Sequence, residues 1–257
     1  YAGRVNVAGG DVSLTNASGA NSATIRNDYT GSNSVEISAS SEITVEANTG
    51  VKAYAISNND SLDIKNSFIS ASGSASIGLF NNTNGTTTFT VTENPEDNIT
   101  AGDLAGYGSQ VYGIIGGMYS VYNYGAFTMT TTLDSARYSG GNLENAPVMY
   151  LGGTVYTEAQ GGSGKTSTTL NGVTVNGSIY NVSSATIVLN DVYLNGNLRN
   201  EGSNVYVTGD FFSPNFTVDG TSIAGNNRII VWNLEYEQTH SYGNIYFGTA
   251  LASSGYG

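Results

Sequence analysis

Short runs of alternating hydrophobic and polar residues, each stopped by a polar turn, recur along the 257 residues of the chain. The alternation places Val12-Ser13-Leu14, Val35-Glu36-Ile37, Ile43-Thr44-Val45, Leu62-Asp63-Ile64, Phe89-Thr90-Val91, Phe127-Thr128-Met129, Val173-Thr174-Val175 and Val205-Tyr206-Val207 in strands. The hydrophobes of each would face a narrow core and the middle residue would face outward. No window carries the three-and-four spacing of apolar residues that an amphipathic helix requires, so the chain is read as all-β.

A longer signature joins strand to turn: residue, hydrophobe, small residue, hydrophobe, residue, then two from Asn, Asp or Gly. It reads Ser22-Ala23-Thr24-Ile25-Arg26-Asn27-Asp28, Ala53-Tyr54-Ala55-Ile56-Ser57-Asn58-Asn59 and Ser76-Ile77-Gly78-Leu79-Phe80-Asn81-Asn82. It is read again in Val111-Tyr112-Gly113-Ile114-Ile115-Gly116-Gly117 and Pro147-Val148-Met149-Tyr150-Leu151-Gly152-Gly153. The starts at 22, 53, 76, 111 and 147 lie 31, 23, 35 and 36 residues apart. Further on, residues 170–181 align with 189–200 at a shift of 19, about one coil of three short strands with their turns. Uneven spacing of a constant strand is the mark of a β-solenoid whose turns accept insertions. Lengthening a loop costs little entropy, whereas slipping a strand by one residue turns its buried face outward. The organisation predicted is β-helix rungs over 1–225, irregular over 1–165 and regular over 166–225, followed by a distinct segment over 226–257.

Composition fits this reading. The 34 glycines and the asparagines fall between the hydrophobic runs, where tight turns need positive φ, and three prolines and 11% charged residues leave no linker. Net charge is −12, and the eight basic residues, Arg4, Arg26, Lys52, Lys65, Arg137, Lys165, Arg199 and Arg228, are scattered. Binding to nucleic acid or to an anionic membrane draws on clustered Lys and Arg, so both are disfavoured. No run approaches the roughly 18–20 uninterrupted apolar residues of a membrane span. The absence of cysteine removes disulfides and thiol chemistry. It also suits export as an unfolded chain through an oxidising compartment, set against compositional accident. A start at Tyr1 without methionine reads as a processed or trimmed product.

The stretch Ser61-Leu62-Asp63-Ile64-Lys65-Asn66-Ser67-Phe68-Ile69-Ser70-Ala71-Ser72-Gly73-Ser74-Ala75-Ser76-Ile77-Gly78-Leu79-Phe80-Asn81-Asn82 resembles the rungs of bacterial autotransporter passenger domains. Such rungs run as a polar-hydrophobic strand, Asn-Ser, a second strand, a Ser-Gly turn and a small-hydrophobe strand ending in Asn or Gly. The resemblance covers residues 11–210. It implies a right-handed parallel β-helix, secreted or held at the surface of a Gram-negative cell. There it would work without catalysis as an adhesin or self-associating factor in cell-cell contact, biofilm or virulence. Its partners would be other copies of itself or a protein or glycan on a host or neighbouring cell. The family's C-terminal membrane barrel does not occur in the sequence, which implies either its cleavage or a different secreted solenoid, such as a filament or surface-layer subunit.

Candidate chemistry is sparse. Asp60 with Asp63, and Glu93, Glu96 and Asp97 around Pro95, are the acid groupings that a polysaccharide-active enzyme would use, which is the third reading. Neither matches the acid clusters of pectin-degrading β-helices. His240 is the only histidine, and no Gly-x-Ser-x-Gly or Gly-Asp-Ser-Gly stretch supplies a nucleophile for it, so it is read as a surface or turn residue. Calcium is the one ion with a case: Glu93, Glu96, Asp97 and Asp103 gather hard oxygens in a short loop, against a plain solvated acidic loop. Sequons at Asn16, Asn59, Asn81, Asn84, Asn98, Asn176, Asn181 and Asn215 are better read as turn asparagines stacked from coil to coil by amide hydrogen bonds than as glycosylation sites.

Eighteen tyrosines exceed what a narrow coil can hold inside, and Tyr107, Tyr112, Tyr119, Tyr122 and Tyr124 are the predicted contact surface for a protein or carbohydrate. Ile229, Ile230, Trp232, Ile245, Tyr246 and Phe247 stand apart in the last segment. They would either cap the open end of the coil or add to the end of a neighbouring copy in a head-to-tail fibre.

Overall fold

A computed structural model describes residues 6–8, 12–16, 22–28, 35–38, 41–46, 53–65, 67–72, 75–91, 113–131, 138–139, 142–143, 149–160, 166–194, 196–200, 205–207, 211–212, 228–231 and 244–247. The described residues are all-β: three stacks of parallel strands, ten, eight and seven strands deep, and a two-stranded antiparallel pair, Tyr138–Ser139 with Asn142–Leu143. The chain visits the three faces in rotation. One full circuit is Ser61–Lys65 on the first face, Phe68–Ser72 on the second and Ser76–Asn81 on the third. Later circuits run through Thr86–Val91, Gly113–Ile115 and Tyr119–Asn123, then Ala126–Thr131, Met149–Leu151 and Thr154–Glu158. This is a β-solenoid. No helix among the described residues is long and apolar enough to cross a membrane.

Register explains why alternation was so plain in the sequence. On the first face Ile64, Phe89, Met129, Leu170 and Leu189 pair strand to strand in one inward column, each fully buried. On the second face the column is Ile69, Ile115, Leu151, Val175 and Leu194. On the third it is Ile56, Leu79, Val121, Val155, Ile179 and Leu198. An aliphatic residue at the same place in every coil therefore meets its counterparts above and below, and burial proceeds along the rod without interruption. The shift of 19 is the true coil length between residues 167 and 200, where Leu170 pairs Leu189, Thr174 pairs Tyr193 and Ile179 pairs Leu198; the next first-face pairings, Ile187 with Val205 and Val205 with Ile229, are 18 and 24 residues apart.

Two sequence expectations change. Ser22–Asn27, Ala53–Asn58 and Ser76–Asn81 do share the third face in the expected register. The fourth and fifth copies of the signature do not: Gly113–Ile115 and Met149–Leu151 lie on the second face. Tyr119–Asn123 and Thr154–Glu158 take their places on the third. A buried strand ending in a Gly turn looks alike on either face, so the pattern could not tell the two apart. The second correction is Thr174, expected to face outward. It is buried at 1% exposure on the two-residue strand Thr174–Val175, and its hydroxyl has no hydrogen-bond partner.

A file of amides runs up the inside of the third face. Asn27 Nδ2 donates to Asn58 Oδ1 at 2.8 Å, Asn58 Nδ2 to Asn81 Oδ1 at 3.0 Å, and Asn81 Nδ2 to Asn123 Oδ1 at 2.9 Å. The partners are 31, 23 and 42 residues apart in sequence, so loop insertions leave the register untouched. Of the sequon asparagines, Asn81 and Asn181 are fully buried in this file, whereas Asn84 and Asn176 are exposed.

Thr157 occupies the next position and interrupts the file. Asn123 Nδ2 turns to Thr168 Oγ1 at 2.9 Å, and Asn181 Oδ1 is left buried without a donor, although Asn181 Nδ2 reaches Asn200 Oδ1 at 2.9 Å. Thr157→Asn restores the missing donor in a setting the protein already accommodates, since Asn81 sits beside Thr87 as residue 157 sits beside Thr168. It is expected to raise stability by about 1 kcal/mol, read as a higher urea midpoint, and an unchanged or lower midpoint would count against the account of the gap.

The corners are built for close approach. A Cβ on Gly153 would strike the carbonyl oxygen of Gly117, one on Gly177 the backbone of Gly153, and one on Gly196 the carbonyl of Gly177. These glycines stack directly over one another where the chain passes between the second and third faces. The first face continues beyond Val205–Val207 through Arg228–Val231 and Asn244–Phe247, all in parallel.

Candidate contact face

Within the strand that carries the amide file, the residue just before each amide points the other way, because side chains alternate across a strand. In register these are Arg26, Ser57, Phe80, Tyr122, Tyr156, Tyr180 and Arg199. The inward amides thus hold in line an outward file that is aromatic over four consecutive coils. Tyr54, Tyr119 and Tyr124 flank it.

The rings are in contact with one another. Tyr54 and Phe80 have centroids 5.0 Å apart, Phe80 and Tyr122 6.1 Å, and Tyr122 and Tyr156 4.5 Å with the planes 30° from parallel. Tyr124 meets Phe80 edge-on at 5.7 Å and Tyr122 at 5.3 Å, and Tyr119 meets Tyr122 at 5.3 Å. Edge-to-face pairs at these separations add about 0.5–1.5 kcal/mol each beyond burial, which favours one arrangement of the cluster over a mobile set of phenols. All six residues are half-buried, so the strip is backed by its neighbours yet open on its outer side. Met118, immediately before Tyr119, is 53% exposed.

Polar tips edge the strip. Tyr156 Oη donates to Glu158 Oε2 at 3.0 Å, and Tyr124 Oη is 3.4 Å from Tyr122 Oη. Burial first, and these hydrogen bonds second, hold the Tyr124 and Tyr156 phenols well above the ordinary tyrosine range; burial also raises Tyr54. Tyr54, Tyr124 and Tyr156 therefore present neutral hydroxyls at physiological pH. Arg26, at one end of the file, is ion-paired with Asp28.

Of the predicted contact residues, Tyr119, Tyr122 and Tyr124 belong to the strip, while Tyr107 and Tyr112 lie outside the described residues. Tyr54, Phe80 and Tyr156 were missed. For Phe80 and Tyr156 the signal was in the sequence as an aromatic residue directly before a turn position, Phe80-Asn81, Tyr122-Asn123 and Tyr180-Asn181, with Tyr156-Thr157 as the variant; Tyr54, followed by Ala55, carries no such signal. Glu93, Glu96, Asp97 and Asp103, proposed for calcium, lie outside the described residues, as do Trp232 and His240. Ile229, Ile230, Ile245, Tyr246 and Phe247 lie in described strands, with Ile229 paired to Ile245 and Ile230 to Tyr246. The acids Asp60 and Asp63 sit apart in the architecture: Asp60 is in the corner before the first face, with Oδ2 buried and unpartnered, and Asp63 is half-exposed on that face between Glu36 and Thr88.

Comparison with protein-family models, curated proteins and solved structures returns no match.

Proposed function

We propose that the protein is an extracellular, non-enzymatic adhesin or self-associating surface protein of the autotransporter passenger type, acting through the third face of a right-handed β-helix. The observation that carries this reading is the aromatic strip. Half-buried rings locked against each other offer large contact area with little side-chain freedom left to lose on binding, and hydroxyls at the edge supply hydrogen bonds. A solenoid repeats such a surface every coil, so contact grows with length. Right-handedness follows from the general rule that connections between parallel strands of one sheet turn that way in about 98% of cases.

The test uses beads coated with the full chain, scored for clustering with one another and for adhesion to epithelial cells. The triple variant Phe80→Ser, Tyr122→Ser, Tyr156→Ser is expected to abolish both while keeping the β-rich circular dichroism spectrum. Clustering and adhesion equal to the native chain would overturn the reading.

A second reading, a subunit of an extracellular filament or surface layer, is favoured by the parallel addition of Arg228–Val231 and Asn244–Phe247 to the first face. Strands added in this way leave a strand edge facing along the rod, the kind of edge that accepts another chain. Removal of residues 241–257 separates the possibilities. A stable monomer that no longer assembles supports the filament, whereas a destabilised monomer supports a capping role for the segment.

A further inference from the structure

Tyr122 and Tyr156 occupy partner positions on adjacent strands of the third face, with ring centroids 4.5 Å apart. Tyr156 also has a built-in proton acceptor, Glu158 Oε2, at 3.0 Å from its hydroxyl. A phenol that loses an electron becomes a far stronger acid, so a carboxylate already hydrogen-bonded to it lets proton and electron leave together. The raised ionisation range of Tyr156 is consistent with this, since the proton is present to be transferred.

We propose that Tyr122 and Tyr156 are an oxidative cross-linking site, at which a haem peroxidase acting with hydrogen peroxide joins the two rings as dityrosine and staples neighbouring coils. Each phenol gives up one electron and one proton; the proton of Tyr156 passes to Glu158 and that of Tyr122 to solvent. The two radicals form one bond between ring carbons ortho to the hydroxyls. The hydrogens on those carbons then move as protons to the phenol oxygens, which restores both aromatic rings. Two hydrogen atoms are lost in all, and one hydrogen peroxide is reduced to two waters.

The staple falls at a telling place. Tyr122 precedes Asn123 and Tyr156 precedes Thr157, so the new bond would span the junction at which amide-to-amide bonding lapses and Asn123 turns aside to Thr168. A covalent link there ties together the two halves of the rod that the interrupted file joins least directly. The inference depends on the ring geometry and not on the adhesive reading, so either can fail alone.

The experiment treats the dilute full chain with horseradish peroxidase and hydrogen peroxide. The expected product stays monomeric on a denaturing gel, shows dityrosine emission, has lost two hydrogens by mass, and yields on digestion a peptide containing residue 122 joined to one containing residue 156. Tyr122→Phe and Tyr156→Phe, which keep the rings, should each abolish that linked peptide, and Tyr193→Phe on the second face should not. Glu158→Gln should slow its formation severalfold. Links confined to other tyrosines, purely intermolecular products, or the same emission and rate in Tyr156→Phe would overturn the proposal, and an unchanged rate in Glu158→Gln would remove the carboxylate from it.

Discussion

Replacing Asn81 with alanine is expected to destabilise the protein by about 3–5 kcal/mol, because a buried polar group deprived of its partner costs roughly 1–3 kcal/mol and several are deprived at once. Asn81 Oδ1 accepts from Asn58 Nδ2 and from Thr87 Oγ1, both at 3.0 Å. Its Nδ2 donates to Asn123 Oδ1 at 2.9 Å, to the Ala126 carbonyl at 2.9 Å and to the Gly85 carbonyl at 3.1 Å. One side chain thus serves three consecutive coils and the corner that leads back to the first face, and it does so fully buried. Asn81→Asp should be no rescue, since a carboxylate cannot donate to Asn123 or to the two carbonyls. Asn84→Ala, a few residues on and exposed, is the control and should stay within about 0.5 kcal/mol of the native protein. Urea unfolding followed by tyrosine fluorescence reads the difference. Equal midpoints for the Asn81 and Asn84 variants would show that the amide file does not hold the coils.

The second large effect is expected from a single methyl group. Gly153→Ala places a Cβ against the Gly117 and Met118 carbonyls, and backbone cannot swing aside as a flexible side chain can. Overpacking costs about 1–3 kcal/mol even where neighbours adjust, so a loss of about 3 kcal/mol is expected here. The coils would have to separate locally, and the amides of Gly152 and Thr154, bonded to Ile115 O at 2.9 Å and Met118 O at 3.1 Å, should lose hydrogen-exchange protection. Gly116→Ala is the matched control, because its nearest atoms would lie 3.8 Å from the new methyl, an ordinary contact. If both alanine variants melt at the same temperature, the glycine stack is not a steric requirement.

The two predictions differ in how visible their causes are in sequence. The turn asparagines were legible as stacked amides because turn positions recur with the strand. The exchange of partners at Thr157 was not, since nothing in a lone threonine says which coil position it fills. Gly153 was read as part of a repeated turn, correctly as a turn but on the wrong face, and its contact with Gly117 depends on the height of one coil above another. The contact face shows the same division. Tyr119, Tyr122 and Tyr124 were found as a local cluster, whereas Tyr54, Phe80 and Tyr156 lie 26 to 44 residues along the chain from the rings they touch and meet them only through register.

By itself the sequence determined that the described residues are all-β, that their strands repeat, that hydrophobes face inward, and that the coil between residues 167 and 200 is 19 residues long. Those properties follow from side-chain alternation and turn chemistry, which act between residues close together in the chain. Only the tertiary structure decided which strand lies above which, hence which amide meets which and where the rings form a strip. Loop insertions of unequal length separate such partners in sequence at little entropic cost, so their pairing is settled by burial across coils and leaves no fixed spacing to read.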